Sequence, residues 1–270
     1  MTDSDAFGMQ VVGMVQLHPL PGSARYTDEP FERVMQAALT DGQALSDAGF
    51  TGVQVQNMGD NPSTRHSGLE TVAYMTRVCN ELHRTFPQLS LSVLVNWDAE
   101  ASLAVADAVA ADFVRVEHTW VGASVTSWGI STASCHEATR FRSMIRSSTP
   151  IYADLLEPHA VPLIERPVEW WARAAVHEGA ADGLFVTMSS LDDSLDSVRR
   201  VREAVSGVPV WLGGGATKDN IGQVVGLVDG VTVATSIKGG DMTNPVDPVE
   251  AIAFINALKV ARTGLAKDPQ

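Results

Sequence analysis

The stretch VPVWLGGGATKDNIGQVVGLVDGVTVATSIK, residues 208–238, contains two apolar runs on either side of a segment with helical spacing. The first run, residues 208–212, is typical of a strand buried in a parallel sheet, and three glycines end it. Thr217 is a candidate helix N-cap, because the apolar residues at 221, 224, 225 and 228 then lie on one helical face. The second run is residues 230–234. The stretch therefore predicts strand, helix and strand.

The two predicted strands end in groups that bind phosphate. Glycine allows backbone N–H groups to approach an anion without a Cβ in the way, and hydroxyls and a lysine add hydrogen bonds and charge. Loops after strands seven and eight frequently form a phosphate site in (β/α)8 barrels. A tight turn alone is the alternative, but three consecutive glycines favour phosphate binding by Gly213, Gly214, Gly215, Thr235, Ser236 and Lys238.

The rest of the chain repeats the same alternation. Eight strand candidates alternate with eight helix candidates over 270 residues, without a linker rich in proline or glycine. Such alternation indicates parallel strands joined by crossover helices. We predict an α/β fold, a single (β/α)8 TIM barrel spanning residues 1–270, with loose tails at 1–9 and 264–270. A doubly wound open sheet is the alternative.

Composition excludes several classes of function. The chain has 19 Lys+Arg against 32 Asp+Glu, a formal net charge of -13, and no basic cluster that would bind a nucleic-acid backbone. Its two cysteines, Cys79 and Cys135, show no metal-binding spacing, which suits a reducing cytosol. No apolar run approaches the length of a membrane span, and residues 1–5 lack the basic start of a signal peptide. We expect a soluble, cytoplasmic protein without a transmembrane segment.

Polar residues follow the predicted strands, at the edge where barrels bind ligands. Ordinary turns also favour Asn, Asp and Gly, so residue type alone does not indicate ligand binding. The position of these residues at the carboxyl ends of strands is what makes them candidates. The candidate substrate-binding residues are Gln16, Asn57, Asp60, Asn96, His159 and Thr187.

Four ionisable residues are candidates for catalysis. Asp154 ends strand five, with Glu157 and His159 close behind, and is the candidate general acid or base. Arg115 and Glu117 share one side of strand four, inside the barrel if their valine neighbours face the helices. His18 could act as acid, base or anion partner. The alternatives are that Asp154 holds loop N–H groups and that His18 is a turn residue.

The stretch between His118 and His136 is the longest without a pattern. Long unpatterned connections in compact domains are often active-site loops. Trp120 and Trp128 are candidates for an aromatic wall or lid, and contact with another subunit is the alternative. We accordingly expect a homo-oligomer.

With these motifs in hand, the chain resembles the BtpA/SgcQ family over most of its length. The motifs that carry the resemblance are GMVQLHPLPGS (13–23), QNMGDNP (56–62), Asn96 with Asp98, FVRVE (113–117), AD (153–154), VT (186–187), GGG (213–215) with Asn220, and DG through TSIK to NPV (229–246). The chain departs from the family pattern at Gln56, where relatives carry Glu, and at residues 157–159, where relatives carry Lys-His. The resemblance implies a TIM-like barrel, a link to photosystem I biogenesis for one relative, and sugar or nucleoside metabolism for others.

Two functions are consistent with these residues. The first is an enzyme that acts on a small phosphorylated sugar or nucleotide-like metabolite as a lyase, an isomerase or an enzyme of glycosidic-bond cleavage. The second is a non-catalytic assembly or stability factor that binds a protein partner, which the changes at Gln56 and Glu157 favour. No cofactor is predicted, and a divalent metal is compatible with Asp60, Glu117 or Asp154 without being required.

Overall fold

The computed structural model describes residues 8–156 and 159–265, in which a closed parallel barrel is the main feature. Its eight strands are β1 Gln10–Gln16, β2 Gly52–Gln56, β3 Ser90–Leu94, β4 Phe113–Val116, β7 Ile151–Asp154, β9 Gly183–Val186, β10 Val210–Leu212 and β11 Gly230–Val233. They are hydrogen-bonded in the order β1-β11-β10-β9-β7-β4-β3-β2. The predicted TIM barrel is confirmed.

Seven α-helices lie among the described residues. They are α1 Phe31–Ala48, α2 Leu69–Thr85, α3 Ala99–Val109, α4 Cys135–Met144, α5 Val168–Arg173, α6 Leu191–Ala204 and α7 Pro248–Leu265. Asp98 caps α3 by accepting a hydrogen bond from the Ala101 N–H at 2.9 Å. None of the described helices combines the length and the apolar character needed to cross a bilayer.

The helix predicted over residues 217–228 is wrong. The chain there forms turns and a short 3-10 helix, Ile221–Gln223. Two glycines interrupt the segment, one of them, Gly226, in the left-handed region with φ 83°, and β-branched valines further lower its helix propensity. The apolar spacing still has a packing role, because Ile221 and Val224 are buried in the core.

The unpatterned stretch after β4 contains a small antiparallel sheet. Its strands are β5 Ala123–Thr126, β6 Gly129–Thr132 and β8 Val161–Pro162, in the order β6-β5-β8. The strands are two to four residues long and rich in Ser, Thr and Gly, so they show no periodicity in the sequence. The sheet lies outside the barrel, where it extends the edge formed by the strand ends.

An aromatic cluster fills part of the barrel interior. Phe113, Phe185 and Trp211 pack with Val12, and Tyr152 packs against them. The Phe113 and Trp211 ring centroids are 5.1 Å apart. Side chains two positions later on a strand face the same way. The residues two positions after the cluster residues therefore project into the barrel mouth above it. They are Met14, Arg115, Asp154, Thr187 and Gly213.

The predicted loose tails, residues 1–9 and 264–270, lie mostly outside the described residues. Of the part that is described, Met9 is buried and α7 continues through Leu265. Residues at both ends of the described chain are therefore part of the folded structure: Met9 is buried, and residues 264–265 belong to α7.

Candidate functional site

A cavity of about 530 Å³ opens at the carboxyl ends of the barrel strands. Each strand contributes to its lining. Some strands contribute the residue two positions after an aromatic-cluster residue, and others contribute residues of the loop that follows the strand. The predicted site residues that line it are Gln16, Asn96, Arg115, Glu117, Asp154, His159, Thr187, Gly213, Gly214 and Thr235.

Arg115 and Asp154 form a buried ion pair on the wall of this cavity. Arg115 Nε donates to Asp154 Oδ1 at 2.9 Å, and Arg115 Nη2 donates to Asp154 Oδ2 at 2.8 Å. The guanidinium also lies 4.4 Å from the centroid of the Phe185 ring. Both oxygens of Asp154 are engaged by one cation, which favours a role in holding charge and orientation over free exchange of a proton.

Gly213 makes room for this pair. A Cβ at Gly213 would lie 2.4 Å from Thr187 Oγ1 and 2.9 Å from Arg115 Nη2. No side chain fits there unless both Thr187 and Arg115 move. The first glycine of the triplet is therefore required for close packing against the Thr187 hydroxyl and the guanidinium, which its sequence position alone does not reveal.

Glu117 is the carboxyl group best suited to proton transfer. Burial raises its pKa, the Arg115 charge opposes the rise, Asp154 adds to it and His159 opposes it. Gln56 Nε2 donates to Glu117 Oε2 at 3.1 Å and to Asn96 Oδ1 at 2.8 Å. A carboxyl group whose pKa is raised holds its proton closer to neutral pH, where it can act as an acid or a base.

The turns after β10 and β11 form the opposite end of the cavity. Gly213, Gly214 and Thr235 line it there. Within the described chain, the backbone N–H groups of Gly214 and Thr235 donate to no protein acceptor. Gln16 Oε1 and Thr187 Oγ1 are likewise buried without a hydrogen-bond partner among the described residues. Because Gly214 and Thr235 line the cavity, their unpaired N–H groups are the ones available to a ligand.

Lys238 does not face the cavity, and its predicted contact with phosphate is wrong. Its side chain is 1% exposed, and Nζ lies 3.3 Å from Asp41 Oδ2 on α1. Asp41 Oδ1 also accepts a hydrogen bond from the Val246 N–H at 2.8 Å. The chain leaves β11 through a 3-10 turn, Thr235–Ile237, which directs Lys238 towards α1 instead of the barrel axis.

Ser236 and Gly215 shape the phosphate turns without lining the cavity, contrary to prediction. Ser236 Oγ donates to the Ala216 carbonyl at 2.9 Å, which ties the turn after β11 to the turn after β10. Gly215 adopts a φ of 83°, and its carbonyl accepts a hydrogen bond from Asn220 Nδ2 at 2.9 Å. Both residues support the backbone that carries Gly214.

Asn57 and Asp60 hold neighbouring loops and do not line the cavity. Asn57 Oδ1 accepts from the Asn96 N–H at 2.7 Å, and its Nδ2 donates to Asp60 Oδ2 at 2.8 Å. Asp60 Oδ1 accepts from the Leu20 N–H at 2.7 Å, and burial raises the pKa of this carboxyl. The two side chains therefore position Asn96 and the loop after β1.

His18 is exposed and lies outside the large cavity. It borders a separate groove between α1 and residues 243–245. His18 is therefore too far along the loop for the catalytic role predicted for it in the large cavity. Gln16, two residues earlier, is the last residue of β1 and lines both spaces.

Several lining residues escaped the sequence analysis, notably Trp97, His118, Met58, Asn61 and Met242. Trp97 and His118 directly follow the candidates Asn96 and Glu117, and adjacency to a strand end is the signal that could have identified them. Of the two tryptophans proposed as a wall, Trp128 lines the cavity. Trp120 is buried in the core, where its Nε1 donates to the Ala175 carbonyl at 3.3 Å.

Among residues 8–156 and 159–265, no three His, Cys, Asp or Glu side chains converge as metal ligands do. The three carboxylates instead accept hydrogen bonds from different neighbours. Asp60 accepts from Leu20 and Asn57, Glu117 accepts from Gln56, and Asp154 accepts from Arg115. The absence of a required metal or cofactor stays a prediction.

Comparison with known proteins gives both a family and a fold. The model of the BtpA family matches residues 8–260. Photosystem I biogenesis protein BtpA from Synechocystis sp. is 33% identical over 253 residues, which cover 92% of this chain and 87% of that protein. The sgc region protein SgcQ from Escherichia coli is 26% identical, covering 91% and 92%.

A likeness among solved structures extends to the whole barrel. Thiamine phosphate pyrophosphorylase from Pyrococcus furiosus superimposes with a TM-score of 0.56 at 17% identity, covering 94% of this chain and 98% of that one. At that identity the likeness supports the TIM barrel and nothing finer.

Proposed function

The chain belongs to the BtpA family, and from that premise we propose that it is an enzyme acting on a small phosphorylated sugar or nucleotide-like metabolite bound at the barrel mouth. One observation carries the proposal. A single cavity of about 530 Å³ has unpaired backbone N–H groups at one end and a carboxyl group with a raised pKa at the other. The first suits a phosphate group and the second suits proton transfer.

Phosphate binding is assigned to the turns after β10 and β11. Gly214 and Thr235 offer N–H groups, and Thr235 adds a hydroxyl. Arg115 supplies positive charge nearby, since its Nη1 lies 3.5 Å from the Gly213 carbonyl oxygen. An anion at this end would meet donors and a cation with no lysine required. Lys238 therefore has no part in the proposed site.

Proton transfer is assigned to Glu117. Gln56 Nε2 donates to its carboxyl group and also to Asn96 Oδ1, which holds Gln56 in place, and the Arg115–Asp154 ion pair lines the same cavity. Lyases, isomerases and enzymes that cleave glycosidic bonds all need one such acid or base near a bound substrate. The reaction is one of these three classes.

A name among the similar structures agrees with this chemistry. Thiamine phosphate pyrophosphorylase is named for a phosphorylated compound. Its likeness to this chain supports a shared barrel, so the cavity residues remain the basis of the proposal.

A thermal-shift titration tests the proposed function. Ribose 5-phosphate and inorganic phosphate should raise the melting temperature, whereas ribose, the matched probe without phosphate, should have a smaller effect. A ligand at about 100 times its Kd stabilises the folded state by roughly 2.7 kcal/mol. Equal shifts with ribose and ribose 5-phosphate, or no shift with either, would reject a phosphate site.

One observation favours the second candidate function, a non-catalytic assembly factor. Val125 pairs with Ile130 and with Val161 across the small sheet, so the three side chains share one face. They are 44%, 67% and 68% exposed. Such an apolar stripe fits a protein contact, either with a partner or with another copy in the predicted homo-oligomer.

Substitution within this stripe distinguishes the two candidates. Ile130→Asp should dissociate an oligomer or a partner complex, measured as molar mass by light scattering. If it does so and ribose 5-phosphate gives no thermal shift with the wild type, the assembly function is favoured.

A further inference from the structure

A two-residue hairpin turn holds Trp128 over the barrel mouth. Ser127 and Trp128 connect β5 to β6. Thr126 Oγ1 accepts a hydrogen bond from the Trp128 N–H at 3.2 Å and donates to the Gly129 carbonyl at 3.1 Å, and Gly129 takes a φ of 113°. These bonds fix the backbone of the turn that carries the Trp128 indole. That indole is 53% exposed, so core packing does not account for it.

A second tryptophan comes from the end of β3 and meets the first. The ring centroids of Trp97 and Trp128 are 4.6 Å apart with the planes at 89°, an edge-to-face pair. Trp97 has a φ of 63°, a left-handed backbone that a bulky residue rarely adopts. Strained conformations of this kind cluster at ligand sites, where neighbouring contacts hold them. Here the Asn96 N–H is held by Asn57 Oδ1 at 2.7 Å.

The two indoles separate the large cavity from a smaller one. The smaller cavity, about 240 Å³, lies on the far side of the tryptophans. Trp97, His118, Thr126 and Trp128 line both spaces, and we refer to these four residues as the shared wall. Gly214, Thr235 and the shared wall line the same large cavity, so one ligand that fills it would contact the turns and the wall together.

His118 presents an uncharged ring at the wall. Burial and, to a smaller extent, the Arg65 charge lower its pKa to about 4. Its ring centroid lies 5.7 Å from that of Trp97. Three neutral rings in contact form a surface that favours a planar apolar group over a hydroxyl or a charge.

On the premise of the proposed function, we infer that the ligand is a phosphorylated compound with a planar ring, which packs against the shared wall while the phosphate lies at Gly214 and Thr235. This assigns the substrate to the nucleotide-like class instead of the simple sugar phosphates. The ring would gain apolar contact with the indoles of Trp97 and Trp128, which line the same cavity as Gly214 and Thr235.

Calorimetric titrations with three probes test this inference. Adenosine 5′-monophosphate carries both groups, ribose 5-phosphate lacks the ring, and adenosine lacks the phosphate. We expect the monophosphate to bind the wild type about 10-fold to 100-fold more tightly than ribose 5-phosphate, the range that ring stacking commonly provides. Trp128→Ala should abolish this preference and leave the affinity for ribose 5-phosphate unchanged.

Two further variants guard against indirect effects. Trp170→Ala is the matched control, because Trp170 is a partly exposed tryptophan on α5 outside both cavities, and its ligand affinities should equal the wild type's. Trp97→Gly removes the second ring and is compatible with the left-handed backbone, so it should fold and reproduce the loss seen with Trp128→Ala. Circular dichroism melts establish that each variant is folded.

The outcomes separate this inference from the proposed function. If ribose 5-phosphate binds as tightly as adenosine monophosphate, or if Trp128→Ala weakens both equally, the planar-ring ligand is rejected and the phosphate site stands. If neither phosphorylated probe binds, the phosphate site fails and this inference fails with it.

Discussion

Two buried ion pairs of similar chemistry have different positions in this barrel. Arg115 pairs with Asp154 at 2.8 Å on the cavity wall, whereas Lys238 pairs with Asp41 at 3.3 Å between the turn after β11 and α1. All four side chains are nearly inaccessible to solvent, at 7%, 4%, 1% and 7% exposed. Both pairs are therefore buried and charged, but only the Arg115 pair lines the large cavity at the barrel mouth. Burial of a charged residue therefore does not identify a ligand contact unless the side chain also lines the cavity.

The largest effect is expected from breaking the Lys238 pair. Lys238→Met leaves the Asp41 carboxylate buried without its cation, which typically costs about 3–5 kcal/mol of unfolding free energy. Urea denaturation measures the loss, and the affinity of the remaining folded protein for ribose 5-phosphate should be unchanged. The double variant Asp41→Asn/Lys238→Met should recover part of the stability. Normal stability with lost ligand binding would instead return Lys238 to the phosphate site.

The Arg115 pair should respond differently. Arg115→Lys keeps the charge but cannot make the two parallel hydrogen bonds to Asp154. Hydrogen bonds to charged groups contribute about 1.5–3 kcal/mol, so we expect a loss of that order in urea denaturation. Unlike Lys238→Met, this variant should also weaken binding of ribose 5-phosphate. Unaltered binding would show that the two pairs are equally structural.

The glycines beside the Arg115 pair sharpen the same contrast. A Cβ at Gly213 would lie 2.4 Å from Thr187 Oγ1 and 2.9 Å from Arg115 Nη2, whereas one at Gly214 would meet only Thr187 Cγ2 at 3.9 Å. Gly213→Ala should therefore destabilise the protein by about 1–3 kcal/mol, the usual cost of overpacking. Gly214→Ala, the matched control, should melt near the wild-type temperature. Equal melting temperatures for the two variants would mean that Thr187 and Arg115 both have room to move.

The smallest effect concerns Glu117 and depends on pH. Burial raises the pKa of Glu117 above its usual value of 4.5, so the folded state binds this proton more tightly than the unfolded state does. Ionisation therefore costs stability as the pH rises through 4.5 and above, and the cost is absent at lower pH. Glu117→Gln should be slightly more stable than the wild type at neutral pH, with a gain that vanishes in acid.

Chemical denaturation across pH measures this difference. Glu203→Gln, an exposed substitution on α6, is the control and should show no such trend. A Glu117→Gln protein whose stability relative to the wild type improves as the pH falls would contradict the assignment.

Strand parity explains what the sequence could predict about the site. Arg115 lies within β4, two residues after Phe113, so alternation predicts that it faces the barrel interior. Thr187 follows β9 directly and obeys the same rule. The barrel itself followed from eight alternating units, because each unit needs only hydrophobic periodicity to be recognised.

Beyond the ends of strands this rule no longer applies. Lys238 lies five residues after Val233, past a 3-10 turn, so no period relates it to the barrel axis. Asn57 and Asp60 have the residue types of ligand contacts but bind loop backbone and each other. The small sheet after β4 depends on pairing between residues 124–125 and 161–162, and local sequence does not encode that long-range contact.

The central claim is that phosphate binds at the turns after β10 and β11, at the end of the cavity opposite Glu117. A crystal structure of the protein grown with ribose 5-phosphate tests it most directly. We predict a phosphate group that accepts hydrogen bonds from the Gly214 and Thr235 N–H groups, with the sugar directed towards Glu117. Phosphate bound at Lys238, or a cavity left without ligand at saturating concentration, would contradict the claim.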